Sequence, residues 1–253
     1  MLTAQREVGI LPAPCWAGTF LRDFYIGLGL IGAASSVFAL AQWGFGWYPF
    51  PVWGTARPPG FFFNPVHAAQ TLAVIGVGLY VRRLYWLIPG LLPGLYLAHS
   101  RGGWAALALG VLATHFRQPL WFLVAALAAA VALTLHPSPS DFQRLEIWHA
   151  AWINLTFWGN GIGSFWDLYM GSPTQLIHPE YAHNDYLQTL FELGVWSVIP
   201  FGVVAWAASR TSARDWPVLI SVMFMACFSF PIHMPVIALV AAAALISVGV
   251  LNV

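Results

Sequence analysis

His183-Asn184-Asp185-Tyr186-Leu187-Gln188-Thr189-Leu190-Phe191-Glu192-Leu193-Gly194 opens on polar, titratable residues and then turns apolar. Followed from Leu187 to Ala208, the apolar run is long enough to cross a bilayer, which takes about 20 residues. This pattern predicts an all-α chain whose helices enter a membrane from a polar surface. A histidine with carboxamide and carboxylate neighbours at such an entry point is equipped for proton chemistry at that surface. The same residues suit a plain helix start, since Asn and Asp are good N-caps. The two readings are compatible.

Composition carries the membrane expectation to the whole chain. Hydrophobic residues make up 59% of it and charged residues only 8%, against roughly a quarter charged in soluble domains. The abundant Trp and Tyr suit many membrane–water boundaries. A net charge of +1 argues against a nucleic-acid partner, which needs a basic patch. Cys15 and Cys227 supply neither a disulfide framework nor a metal cluster. Arg6, Glu7, Pro12 and Pro14 interrupt any apolar core before Arg22, so the N-terminus does not read as a cleavable signal.

Eight segments read as spans: Phe24–Gln42, Val66–Val81, Tyr85–Ala98, Trp104–Phe116, Leu120–Leu135, Leu187–Ala208, Trp216–Phe230 and Val236–Leu251. Pro89 and Pro93 predict a kink in the third. Arg82-Arg83, after the second, is the clearest inner-side marker. Counting from it places Arg6, Arg22, Arg82, Arg83, Arg117, Arg210 and Arg214 inside. Arg57, Arg101 and Arg144 fall outside. Residues 43–65, rich in Gly, Pro and Trp, read as an ordered interfacial connection. Residues 1–253 thus form a single integral-membrane domain, with a long outer loop at about 136–186 inserted between the fifth and sixth spans.

Loops of that length in compact proteins are usually functional or disordered, and Trp148, Trp152, Phe157, Trp158, Phe165 and Trp166 argue against disorder. Ser140-x-x-Gln143 reads as a capping box. It opens an amphipathic helix with Phe142, Leu145, Trp148, Trp152 and Leu155 on its apolar side, expected to lie against the membrane surface. Gly159-Asn160-Gly161-Ile162-Gly163-Ser164 ends it in a turn.

The outer side therefore collects Arg101, Arg144, the glycine turn, His178, Glu180, His183 and Asp185. Two guanidinium groups on one side suggest an anion with several oxygens, such as a phosphate. The backbone N–H groups of Gly161 and Gly163 could serve the same anion. Against this stand plain alternatives: Arg101 as a snorkelling interfacial residue, Arg144 as a helix charge paired to Glu146 or Asp141, and the glycine turn as a helix C-cap. A metal site at His178, Glu180, His183 and Asp185 is a competing reading, but Pro179 breaks the helix that familiar zinc spacings need. Ser164 with His183 as base lacks the context of a nucleophile elbow. A transporter would carry ionisable residues within its spans, and here the apolar segments hold almost none, with Glu192 the notable exception.

Ser100-Arg101-Gly102-Gly103, Arg144 with Trp148, Gly159-x-Gly161-x-Gly163-x-Phe165, and His183-Asn184 followed by Gly194 occur in that order. The combination resembles the O-antigen ligase family, which includes O-antigen polymerases and protein O-oligosaccharyltransferases. The resemblance runs from about Asn64 to the C-terminus. It implies transfer of a glycan from a polyprenyl-diphosphate carrier to an acceptor hydroxyl, on a further glycan or on a lipid A-core. The location it implies is the periplasmic face of the bacterial inner membrane. It also implies that Arg101 and Arg144 hold the diphosphate, that His183 activates the acceptor with Asn184 and Asp185 in support, and that neither metal nor cofactor is needed. Arginines near His183 are expected to lower its pKa and keep it a neutral base.

Overall fold

The structure, a computed structural model, describes residues 16–49, 57–115, 139–170 and 181–246. Among these residues every regular element is helical and there is no strand. The elements are α1 (Trp16–Phe45), α2 (Pro65–Val81), a 3-10 turn (Tyr85–Leu87), α3 (Ile88–Leu97), α4 (Arg101–His115), α5 (Pro139–Ile153) and α6 (Phe165–Met170). Then follow α7 (Asp185–Leu193), a second 3-10 turn (Gly194–Ser197), α8 (Val198–Arg210), α9 (Trp216–Ala226), a third 3-10 turn (Pro231–His233) and α10 (Pro235–Ile246). The expected fifth span, Leu120–Leu135, lies outside the described residues, as do Arg117, His178 and Glu180.

α2 is the axle of the larger core. Asn64 starts it, accepting the Val66 N–H on Oδ1 at 2.8 Å, and Pro65 sits where no helical N–H is required. From Ala68 to Leu79 every residue of α2 is buried, as a helix apolar on all sides must be. α1, α3, α4, α9 and α10 surround it. α1 and α3 meet along small residues: a side chain at Gly90 would run into Ala33, and one at Gly94 into Ser36. The Ser36 hydroxyl reaches the Leu91 carbonyl at 3.3 Å across this seam. Small residues allow such close backbone approach, and the gain is dispersion contact. At Gly78 the ring of Tyr25 lies directly on the α2 backbone, leaving no room for a Cβ.

Two ends of this bundle differ in chemistry. At one, Arg82 pairs with Asp215 at 2.7 Å, their side chains 4% and 0% exposed. The Arg82 guanidinium also lies 3.9 Å from the Tyr25 ring centre. At the other end, roughly 22 Å away along α2 at 1.5 Å per residue, His67 meets the ring of Phe230 at 5.0 Å.

A second, smaller core gathers Ile147, Ala151, Phe165, Ala182 and Phe191 from α5, α6, α7 and the segment before α7. It adds a protein-facing side to the amphipathic helix, beside the apolar stripe expected to face the membrane surface. Ile147 and Ala151, one turn apart, are the buried pair, while Phe142, Leu145 and Trp152 are more than half exposed. The helix also begins at Pro139, one residue before the Ser140 expected to cap it.

Two helical stretches are long and apolar enough to cross a membrane: Thr19–Phe45, 27 residues, and Asp185–Arg210, 26 residues. Pro65–Val81, Tyr85–Leu97, Trp216–Ala226 and Pro235–Leu245 are shorter apolar helices of 10–17 residues. The count of eight full-length spans is thus not reached among the described residues. The sixth expected span is also not one straight helix. Gly194 takes φ 54 and ψ −131, which ends α7 after nine residues before the chain resumes as a 3-10 turn and α8. Beyond that break Val198, Ile199, Val203 and Trp206 turn outward, each more than half exposed.

Candidate active site

α7 begins with the expected cap. Asn184 Oδ1 accepts the Leu187 N–H at 3.0 Å, so the capping role falls to Asn184 and leaves the preceding histidine for other chemistry. His183 stands at φ 52, a left-handed backbone that non-glycine residues seldom adopt. The segment holding it is pinned from two sides. Trp148 on α5 donates its Nε1–H to the Ala182 carbonyl at 2.8 Å, and Gln188 Oε1 on α7 accepts the Ala182 N–H at 3.1 Å. Gln188 in turn donates to Glu192 Oε1 at 3.0 Å. A backbone in an uncommon conformation, over-determined in this way, is what a site that aims a side chain requires.

The half-buried imidazole of His183 faces Phe230, ring centres 5.2 Å apart. Phe230 is also in contact with Tyr181 at 4.6 Å, stacked, and with His67 at 5.0 Å. The loop bearing it is fixed to α2 by Ser229, whose hydroxyl donates to Gln70 Oε1 at 3.1 Å. Burial and the positive charges nearby push the His183 pKa down to about 4, burial first, then Arg144, then His67. The expected direction holds, but the larger cause is desolvation, with the arginine second. Arg144 lies one helical turn before Trp148 on α5, so the same face that pins Ala182 carries the charge that reaches His183.

Arg101 is the first residue of α4 and is exposed. Ser100 Oγ accepts the Gly103 N–H at 3.3 Å, and Gly103 lies flat on Ala69, two residues along α2 from His67. Arg101 therefore shares the His183 end of the bundle. The third outer arginine has a structural role. Arg57 Nη1 donates to the Ala98 and His99 carbonyls at 3.3 and 3.2 Å, capping the end of α3.

In the glycine turn two N–H groups are already committed. Asn160 and Gly161 donate theirs to the Phe191 and Glu192 carbonyls at 3.0 and 2.9 Å, and Asn160 Nδ2 adds a bond to Phe191 O at 3.1 Å. Those are carbonyls of the last turn of α7 that a helix leaves unsatisfied. Gly161 and Gly163 themselves are exposed at φ 101 and 80. Gly159 and Gly194 sit backbone against backbone, both at positive φ, and neither has room for a Cβ. Through Asn160 and Gly161 the turn clasps the end of α7.

Asp185, buried at 3% exposure, meets His233 with Nδ1 and Oδ1 3.1 Å apart. The Asp185 hydrogen bond is the main reason the His233 pKa is raised, against burial, with the Asp185 and Glu192 charges adding to it. Sequence reading passed over His233, His67 and Phe230. The available signal was a titratable residue within the five-residue turn Pro231–Pro235 between two apolar runs. Among the described residues no three His, Cys, Asp or Glu side chains are grouped closely enough to hold a metal ion. Ser164 spends its hydroxyl on the Gly161 carbonyl at 2.6 Å.

No family model matches the chain, and no curated protein matches it.

Proposed function

We propose that the chain is a membrane glycosyltransferase of the O-antigen ligase kind. It moves a glycan from a polyprenyl-diphosphate carrier to an acceptor hydroxyl without a metal. In this reading the chain crosses the bacterial inner membrane eight times and the His183 end faces the periplasm. Ligase and repeat-unit polymerase share the chemistry and differ in the acceptor, a lipid A-core or a growing glycan. The observation that carries the reading is a half-buried imidazole on a strained backbone, kept neutral by burial and by the Arg144 charge.

The acceptor oxygen attacks the anomeric carbon, the bond from that carbon to the phosphate oxygen breaks, and the hydroxyl proton passes to a ring nitrogen of His183. One displacement inverts the anomeric centre. A base with a pKa near 4 is weak on its own. Docking of a diphosphate beside Arg144 offsets the charge that depresses His183 and raises its basicity when substrate is present. Arg144, and Arg101 from the start of α4, stabilise the charge that develops on the diphosphate.

The test is transfer in proteoliposomes from a polyprenyl-diphosphate-linked glycan, with chelator present. Wild-type protein is expected to transfer, and His183→Ala is expected to insert normally and transfer nothing. Full activity in that variant would remove the base assignment. Solute uptake in the absence of any lipid-linked donor would favour a transporter.

A further inference from the structure

We propose that His233 is a second catalytic histidine of this site: anchored on buried Asp185, it presents Nε2–H to the diphosphate leaving group. The inference rests on the transfer reading above and adds a residue that the sequence motifs do not include.

The geometry is asymmetric. Nδ1 of His233 lies 3.1 Å from Asp185 Oδ1, and the carboxylate side chain is 3% exposed while the imidazole is 43% exposed. One edge of the ring is therefore committed to the protein interior and the other faces out. A buried carboxylate demands a hydrogen-bonded, preferably cationic, neighbour. Asp185 opens α7 two residues after His183, so one helix start governs both imidazoles. Phe230 lies between them, with ring centres 5.2 Å from His183 and 6.4 Å from His233. Tyr181 closes the side, 5.0 Å from His233.

The two environments drive the rings apart. His183 is pushed down to about 4 and His233 is raised. Burial and the Arg144 charge disfavour a proton on His183, while the Asp185 hydrogen bond favours one on His233. Titratable neighbours separated in this way divide the acid and base roles of a reaction between them. In this displacement the hydroxyl proton goes to His183. The electron pair of the breaking carbon–oxygen bond stays on the diphosphate, whose new negative charge accepts a hydrogen bond from His233. The ionisable groups facing His233 are Asp185 and Glu192 from α7, Tyr181 and His183 from the segment before it, and His67 of α2 across Phe230.

The experiment is calorimetric titration of the full chain in detergent with inorganic diphosphate, for wild type, His233→Gln and His233→Lys, at about pH 6 and about pH 9. Ratios between variants at one pH cancel the titration of the ligand itself. At the lower pH, His233→Gln is expected to bind about tenfold more weakly, the usual worth of one hydrogen bond to a charged group. That gap closes at the higher pH as wild-type His233 loses its proton. His233→Lys keeps the lower-pH affinity at both. Asp185→Asn moves the pH at which the wild-type advantage disappears downward, because the group that raises His233 is gone. Equal affinities for wild type and His233→Gln at the lower pH would overturn the assignment. If transfer still required His183, the transfer reading would stand without it. Wild-type protein that neither binds diphosphate nor transfers glycan would overturn both.

Discussion

Acid should expose the desolvation of His183 directly, without any substrate. In the folded chain its pKa falls from 6.5 to about 4, because burial and then the Arg144 charge disfavour the protonated ring. The unfolded chain binds the proton near 6.5 and the folded one near 4, so stability is lost as pH falls through that window and is complete above it. Carried to its lower edge, the displacement is worth roughly 3 kcal/mol. For a chain of this size that corresponds to about 6–12 °C in melting midpoint. Other groups also titrate in acid, so the informative quantity is the wild-type curve minus that of His183→Gln, which cannot take up the proton. Thermal melts in detergent between about pH 7.5 and about pH 4.5 should show wild type falling faster than the variant. Arg144→Gln should remove part of that difference, since its charge is the second cause and not the first. Parallel curves for wild type and His183→Gln would refute a desolvated imidazole, and the base assignment would lose its physical footing.

Gly194→Ala places a Cβ against the backbone of Phe157, Trp158 and Gly159 at a φ of 54. Backbone strain should cost about 1–3 kcal/mol, with the clash adding to it, read as a lowered melting midpoint; a change under about 1 kcal/mol would mean the clasp is loose. Arg82→Ala strands the buried carboxylate of Asp215 and should cost about 3–5 kcal/mol, whereas replacing both partners by apolar residues should recover most of it. Additive losses in that cycle would show the two residues are not coupled. Arg101→Lys should lose most transfer activity, because a point charge cannot reproduce the paired hydrogen bonds of a guanidinium; an unaffected rate would make Arg101 a snorkelling residue.

The helices of the bundle were legible in the sequence because their signal is local: apolar runs bounded by Arg82-Arg83, by Pro and by Gly, with Asn64 and Asn184 at the caps. What escaped is non-local. Gly194 inside an apolar run reads as a tolerated helical glycine, costing only about 1 kcal/mol. Its positive φ follows from a partner 35 positions earlier, Gly159, whose backbone occupies the space a straight helix would need. The protein-facing side of α5 is non-local in the same way: periodicity finds the stripe of Phe142, Leu145 and Trp152, which stays outward, while contact with the smaller core buries Ile147 and Ala151. His233 was missed because its meaning lies in Asp185, 48 residues away. Arg82 was read as a topological marker. It is also half of a buried ion pair, so part of the positive charge that marks this end of the bundle is neutralised by Asp215.

The break at Gly194 explains how one stretch can serve both a polar site and an apolar passage. α7 carries Asp185, Gln188 and Glu192, the first two buried against protein, and lipid around such a helix would leave polar groups unsatisfied at several kcal/mol each. Ending α7 at Gly194 lets it stay with α5 and α6 in the smaller core, while α8 turns its outward Val198, Val203 and Trp206 to a separate environment. The proposed site then falls on the seam between two cores. His183 and Asp185 come from the smaller one, and His67, Phe230 and His233 from the bundle. Neither core alone contains both imidazoles. A seam of this kind joins the two imidazoles through Phe230 without requiring ionisable residues in the middle of the bundle. It also explains why residues far apart in the chain, Arg144 on α5, His67 on α2 and Phe230 after α9, act on the single ring of His183.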